Sequence, residues 1–362
     1  RLAAGDAGGA RADLEAASRS GPPDPLVAFA LGEALEALGE DSAAVEGYSR
    51  AIELDHRFAP ALVRRAARRL AGGDPREGLA DATLAIRYEP WLAEAYVVRS
   101  RALLDLGMAR AALEDGDAAL VLDPSDADAW VAQSRAHAAG GDRREALLSL
   151  GTAVAMRPDD VALRLEHATA LLEEGRMGSM GGWEEAEGTF SGLIERSPDR
   201  TELWWGRGVA RAGEGRHEEA LADLDRALAL DPRSARARAD RGMLLLGLRD
   251  AERARTDLAA ALEEDPGNER ALRTSILLAG TASDREALIG RAREALGRST
   301  GKCDGLDTRD RRGMEWFRIA QALHALGERS LALSALDRSI DDLPPSLAGS
   351  ARALRPRFEA GK

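Results

Sequence analysis

The sequence predicts an all-α solenoid of stacked helical hairpins. Three observations predict it: a ladder of small residues, a ladder of helix breakers with the same beat, and a composition that favours helix. Small residues recur at Ala10, Ala44, Gly78, Ala112, Ala146, Ala186, Ala220 and Ala254, in steps of 34 apart from one step of 40. Breakers recur at Pro22, His56, Pro90, Pro124, Pro158, Pro198, Pro232 and Pro266. Two independent ladders with one period mark a repeat protein. Ala, Leu, Arg, Glu and Asp dominate while aromatic residues make up 4%, and Ala and the straight-chain residues lose least on entering a helix.

Each element of the repeat has its own reason. Two apolar-periodic stretches of about a dozen residues read as helices. A Gly-containing turn separates them, as in "LGED" (38–41), "LGMA" (106–109) and "GEGR" (213–216). Proline, often after an acid as in "LALDP" (228–232), closes the second helix because it cannot continue the hydrogen-bond ladder. A lone hairpin cannot bury its apolar face; stacked hairpins bury a continuous seam.

Counted from Pro25, Ala59, Ala93, Ala127, Val161, Thr201 and Ala235, the repeats resemble the tetratricopeptide repeat (TPR) family of the multi-repeat bacterial type. That pattern wants a bulky residue at the fourth place, small ones at the eighth and twentieth, and an aromatic or Leu at the twenty-fourth. Ala at the twenty-seventh and Pro at the thirty-second complete it. Residues 201–234 supply Trp204, Gly208, Ala220, Leu224, Ala227 and Pro232, and 127–160 supply Trp130, Ser134, Ala146, Leu150, Ala153 and Pro158. The resemblance implies a right-handed superhelix. The 34-residue step and the acidic charge disfavour a pentatricopeptide reading, which would imply RNA.

The organisation expected is a partial repeat over 1–24 and seven consecutive repeats over 25–268, with an insertion, "MGSMGG" (177–182), in a turn. A degenerate hairpin (269–297), a polar linker (298–312), a further repeat (313–346) containing Trp316, and a capping helix (347–362) follow. The chain begins "RLAAGD" rather than with Met, so a processed or excised product is expected, with a targeting or catalytic segment lying outside it.

At the seventh place, usually apolar, stand Arg65, Arg99, Arg207 and Arg241; sixteen residues later stand Asp81, Asp115, Asp223 and Asp257. Repeats without the Arg lack the acid: Leu31 with Gly47, Gln133 with Ser149, Ile319 with Ala335, and His167 opposite Thr189. The expected result is four Arg–Asp bridges joining the helices of a hairpin. A charged ligand site or catalytic pair is the weaker reading, because the pair repeats along the chain.

No chemistry is expected. "GRSTGKC" (297–303) has the wrong glycine spacing for a phosphate loop, "DGLDTRD" (304–310) lacks the closing Glu of a calcium loop, and "HEEAL" (217–221) lacks a second His for zinc. Cys303, the single cysteine, reads as a linker residue and suits a reducing, cytoplasmic setting. The net charge of −12 disfavours nucleic acid, and no apolar run is long enough to span a bilayer. No cofactor, metal or catalytic residue is expected.

The resemblance implies that first helices line a groove. Its fifth place reads Phe29, Val63, Val97, Val131, Leu165, Trp205 and Ala239, and its ninth Glu33, Ala67, Arg101, Arg135, Thr169, Val209 and Met243. Arg101 and Arg135 should stand side by side, with Arg64 near them. Adjacent helical residues lie about 100° apart, so Trp204 and Trp205 cannot share one core. Trp204 holds the core place of Trp130 and Trp316; Trp205 falls on the groove, either exposed for a partner or covered by neighbouring helices. The Lys–Asn–Arg clamp of TPR domains that capture chaperone C-termini is absent, since Asn occurs only at Asn268 and Lys only at Lys302 and Lys362. The asparagine ladder of TPR glycosyltransferases is missing too. The function expected is a non-enzymatic scaffold binding a peptide or helix of a partner protein, apolar or amphipathic with acidic residues. The alternatives are the regulatory region of a larger kinase or transferase, and self-assembly through the incomplete first repeat.

Overall fold

The computed structural model describes residues 5–176, 178, 180–265, 268–278, 313, 316, 317, 319–321, 323, 324, 329–343 and 345–360. The expected linker (298–312) with Cys303 lies outside them, as does the second half of the degenerate hairpin. Among the described residues there are helices and turns and no strand. The chain forms two compact units, residues 1–156 and 157–362.

The N-terminal unit starts with α1 (Ala7–Ser20). Four hairpins follow: α2 (Pro25–Ala37) with α3 (Asp41–Leu54), α4 (Ala59–Ala71) with α5 (Pro75–Tyr88), α6 (Ala93–Asp105) with α7 (Ala109–Leu122), and α8 (Ala127–Gly140) with α9 (Arg143–Met156). The C-terminal unit pairs α10 (Val161–Arg176) with α11 (Met180–Arg196), α12 (Thr201–Gly213) with α13 (His217–Leu230), and α14 (Ala235–Gly247) with α15 (Ala251–Glu264). Then come α16 (Glu269–Leu278), α17 (Arg329–Asp342) and α18 (Pro345–Ala360). Trp316 is buried beside Leu272, Leu336 and Phe358 in the core of this unit's far end.

Helix entry, turn and exit are written in recurring side chains. Asp24, Asp126 and Ser234 accept first-turn amides of α2, α8 and α14, satisfying donors a helix start leaves open. At the exits, Asp55, Asp123 and Asp231 accept the amide two residues on, at 3.0, 2.9 and 3.0 Å; this turn explains the acid before the proline. Between the helices the fifteenth place takes the left-handed conformation, and Gly107 holds it at φ 76°. In the repeat 235–268 the same place is Arg249, at φ 65°. A side chain there costs about 1–2 kcal/mol, so Arg249→Gly should raise the stability of the C-terminal unit by about 1 kcal/mol. A denaturant midpoint at or below that of the native protein would show the turn is not strained.

The hairpin seam is close-packed. Ala44, Ala112 and Ala220 at the twentieth place and Ala51, Ala119 and Ala227 at the twenty-seventh are fully buried. Ser100 and Ser134, at the eighth place, donate to the carbonyls of Ala112 and Ala146 at 2.8 and 2.7 Å. Of the fourth-place aromatics, Trp316 is buried as the pattern expects and the others are not. Trp204, Trp130 and Tyr96 are half-buried, and each donates to the carbonyl of the proline six residues earlier: Trp204 to Pro198 at 2.8 Å, Trp130 to Pro124 and Tyr96 to Pro90 at 3.0 Å. They latch a hairpin to the end of the preceding one, and the half-buried position lets the apolar ring pack while its N–H or O–H reaches an acceptor.

The six extra residues near 177–182 lengthen helices instead of widening the turn. α10 and α11 have 16 and 17 residues, against 13 and 14 in α12 and α13. Trp183 of α11 is wedged between two helical glycines. A Cβ added to Gly175 or Gly213 would stand 2.5 or 2.4 Å from Trp183 Cδ2, so only glycine admits the ring at either place.

Candidate functional site

The seventh-place arginines meet the aspartates sixteen residues on, each through two hydrogen bonds. Arg65 reaches Asp81 at 2.8 and 2.8 Å, Arg99 reaches Asp115 at 2.7 and 2.6 Å, Arg207 reaches Asp223 at 2.9 and 2.7 Å, and Arg241 reaches Asp257 at 2.7 and 2.6 Å. All four carboxylates are buried, which keeps them from a ligand. Sequence reasoning missed two further partners, Arg69 on Asp81 at 2.7 Å and Arg211 on Asp223 at 2.9 Å. The repeat with Gln133 keeps the geometry without charge: Ser149 Oγ donates to Gln133 Oε1 at 2.8 Å.

His167 holds the same place in α10 and is buried. Burial lowers its pKa below the ordinary 6.5, and Glu185 opposes this only in part. The unfolded chain therefore takes up a proton at a pH where the folded chain does not. Stability should fall as pH drops through about 6.5 and level off below the folded value. His167→Gln should flatten that slope in midpoints measured between pH ~7.5 and ~5; an unchanged slope would assign it to other groups.

On the N-terminal unit the predicted groove residues divide into two clusters. Phe29 packs against Tyr48 and Phe58, with ring centroids 5.6 and 5.2 Å apart, while Glu33 is half-buried. Tyr48 donates to Glu36 at 2.6 Å, and burial raises its pKa with help from that carboxylate. Arg64 binds Glu36 at 2.9 Å and approaches Glu94 at 3.9 Å. Burial raises the pKa of Glu94; Arg64 opposes the rise and Asp126 adds to it. Arg64 therefore belongs to an acidic cluster of its own and not to the Arg101–Arg135 pair. The latter two, exposed on α6 and α8, both act on Asp105, whose pKa burial raises and these two guanidiniums lower. Val97 and Val131 beside them are half-buried.

On the C-terminal unit Leu165 and Thr169 are half-buried, and Thr169 donates to the Leu165 carbonyl at 2.8 Å. Trp205 and Val209 are 4% and 7% exposed, which corrects their reading as groove contacts. Of the two readings of Trp205, cover by neighbouring helices holds: it is the buried one of the pair, and Trp204 is half-buried. Its Nε1 donates to Asp240 at 2.7 Å, and the Arg236 guanidinium covers its ring at 3.6 Å. Asp240 also receives Arg270, with Arg176 at 4.0 Å. Burial pushes the Asp240 pKa up, but Arg270, Arg176 and the Trp205 bond outweigh it and hold the carboxyl below its usual range. The signal was an acid at the sixth place of the next repeat, 35 residues on, where an indole at the fifth place finds its acceptor. Met243 remains 38% exposed.

No helix among the described residues is long and apolar enough to cross a membrane. The chain is 32% identical over 142 residues to the Hsp70-Hsp90 organizing protein of Triticum aestivum, covering 39% of this chain and 23% of that protein; it thus spans about a quarter of that relative's length. Among solved structures it is similar to YrrB, described as a TPR protein with an unusual peptide-binding site, at 22% identity and TM-score 0.45, covering 53% of this chain and 96% of that one. It is also similar to a tetratricopeptide repeat protein from Parabacteroides merdae, at 18% identity and TM-score 0.47, covering 74% and 98%. Two tetratricopeptide repeat family models match residues 1–60, 131–179 and 178–235, and residues 210–279, together more than half of the sequence. With the 34-residue ladders and the hairpins they produce, these matches establish that the chain belongs to the tetratricopeptide repeat family.

Proposed function

We propose that the chain is a non-enzymatic interaction scaffold that holds a peptide or helical segment of a partner protein. The observation that carries this reading is on α6 and α8, where exposed Arg101 and Arg135 flank half-buried Val97 and Val131. An apolar strip beside a pair of cations suits an amphipathic segment with carboxylates at helical spacing. The name of the wheat relative ties that protein to Hsp70 and Hsp90. Here neither Lys302 nor Lys362 falls on a groove place of the repeat pattern and Asn268 caps α16 through its side chain, so a Lys–Asn clamp on a chaperone terminus is not proposed.

The test compares proteins captured from source-cell lysate by the native chain and by an Arg101→Glu, Arg135→Glu variant with an unchanged melting curve. A protein retained by the native chain and lost by the variant is expected. Equal capture by both would overturn this face as the site. Trp205 is left intact, since altering a buried residue would confuse binding with folding.

A further inference from the structure

We propose that the extra residues of the repeat 161–200 build a socket for one bulky apolar side chain of a partner segment, with a carboxylate beside it. The proposal rests on the scaffold reading and adds a second contact, on the C-terminal unit, separate from Arg101 and Arg135.

The socket is a cavity of about 350 Å³, near the small end of ligand pockets and able to hold the largest side chains. Trp183, Val209, Leu224, Met243 and Leu244 form its apolar walls. Gly213 and Gly247 also line it, at the ends of α12 and α14, as do Arg176, His217 and Asp240. The insertion makes two of these features. Lengthening α10 carries Arg176 past the point where other first helices end, to within 4.0 Å of Asp240. Lengthening α11 accompanies the wedging of Trp183 between Gly175 and Gly213, which fixes its ring as a wall.

The rim points to what enters. Met243 and Leu248 are 38% and 42% exposed, and exposed apolar residues around a concave site mark a contact surface. The charge beside Met243 is cationic: Arg273 Nη2 lies 4.0 Å from Met243 Sδ. An apolar anchor with an acidic neighbour therefore fits better than one with a basic neighbour.

Gly247 supplies the test. A Cβ placed there meets nothing within 4 Å, so Gly247→Phe can fill the socket without displacing the fold, and Gly247→Ala leaves it open. The probes are fluorescein-labelled pentapeptides Gly-X-Φ-X-Gly, with Leu, Met, Phe, Trp or Ser at the centre and Glu or Lys at both flanks. Anisotropy is measured on the full chain. Peptides with an apolar centre and Glu flanks should bind native protein and Gly247→Ala alike, and Gly247→Phe about tenfold or more weaker. Four results would overturn the socket: no peptide binding up to about 1 mM, binding indifferent to Gly247→Phe, Ser as good as Leu, or Lys flanks as good as Glu. Decanoate binding where no peptide does would assign the cavity to a small amphiphile and overturn it as well. The Arg101→Glu, Arg135→Glu variant separates the two readings. If it loses the lysate partner while Gly247→Phe changes nothing, the scaffold stands without the socket.

Discussion

Replacing Asp223 with alanine is expected to cost the C-terminal unit up to about 3–5 kcal/mol, because it takes the shared carboxylate from two largely buried guanidiniums, of which Arg211 keeps Glu187. Arg207 and Arg211 both donate to Asp223, and all three side chains are at least 85% buried, with relative exposures of 15%, 15% and 4%. Asp115, held by Arg99 whose side chain is 24% exposed, should respond more weakly to the same change. Repeat arrays need not unfold in one step, so amide exchange across α12 and α13 is the appropriate readout. Removing the charges together, as Arg207→Met, Arg211→Met and Asp223→Leu, should recover much of the loss. A cost below about 1 kcal/mol for Asp223→Ala, in the range of a surface pair, would refute a structural role for the bridge.

Truncating the adjacent tryptophans should give unequal results. Trp205→Ala is expected to cost about 3–5 kcal/mol, the range for a buried aromatic. Trp204→Ala should cost about 1–2 kcal/mol, the value of one hydrogen bond and partial packing. Trp205→Phe keeps most of the ring but takes the N–H from Asp240, and should cost about 1–3 kcal/mol. Denaturant midpoints of the three variants decide the order. A larger loss from Trp204 than from Trp205 would contradict the burial of the latter.

The tryptophans also mark where sequence reading reaches its limit. Period, turn places and the Arg–Asp spacing were legible because each is a relation within one hairpin, whose geometry the repeat dictates. The exposure of Trp205 stayed open because its environment comes from the next repeat, where Asp240, Arg236 and the packing of α14 decide it. Arg64 was misplaced for a similar reason: its acceptor Glu36 lies 28 residues back, in the preceding hairpin. The insertion was legible as a change of step, but whether six residues loop out or extend helices depends on two glycines that make room for Trp183.

The hydrogen bonds that join successive hairpins span, for the most part, short stretches of chain. Trp130 and Trp204 reach back to Pro124 and Pro198, and Arg65, Gln133, Arg207 and Arg241 each reach back sixteen residues, to Ser49, Asp117, Ser191 and Asp225. Each such bond can close soon after its later partner leaves the ribosome, so a hairpin can dock on the one before it as it emerges. Trp205 and Arg176 wait longer, since both converge on Asp240, translated 35 and 64 residues after them. During elongation the segment from α10 to α14 thus completes its contacts late, and gives a holding chaperone time to act on the nascent chain.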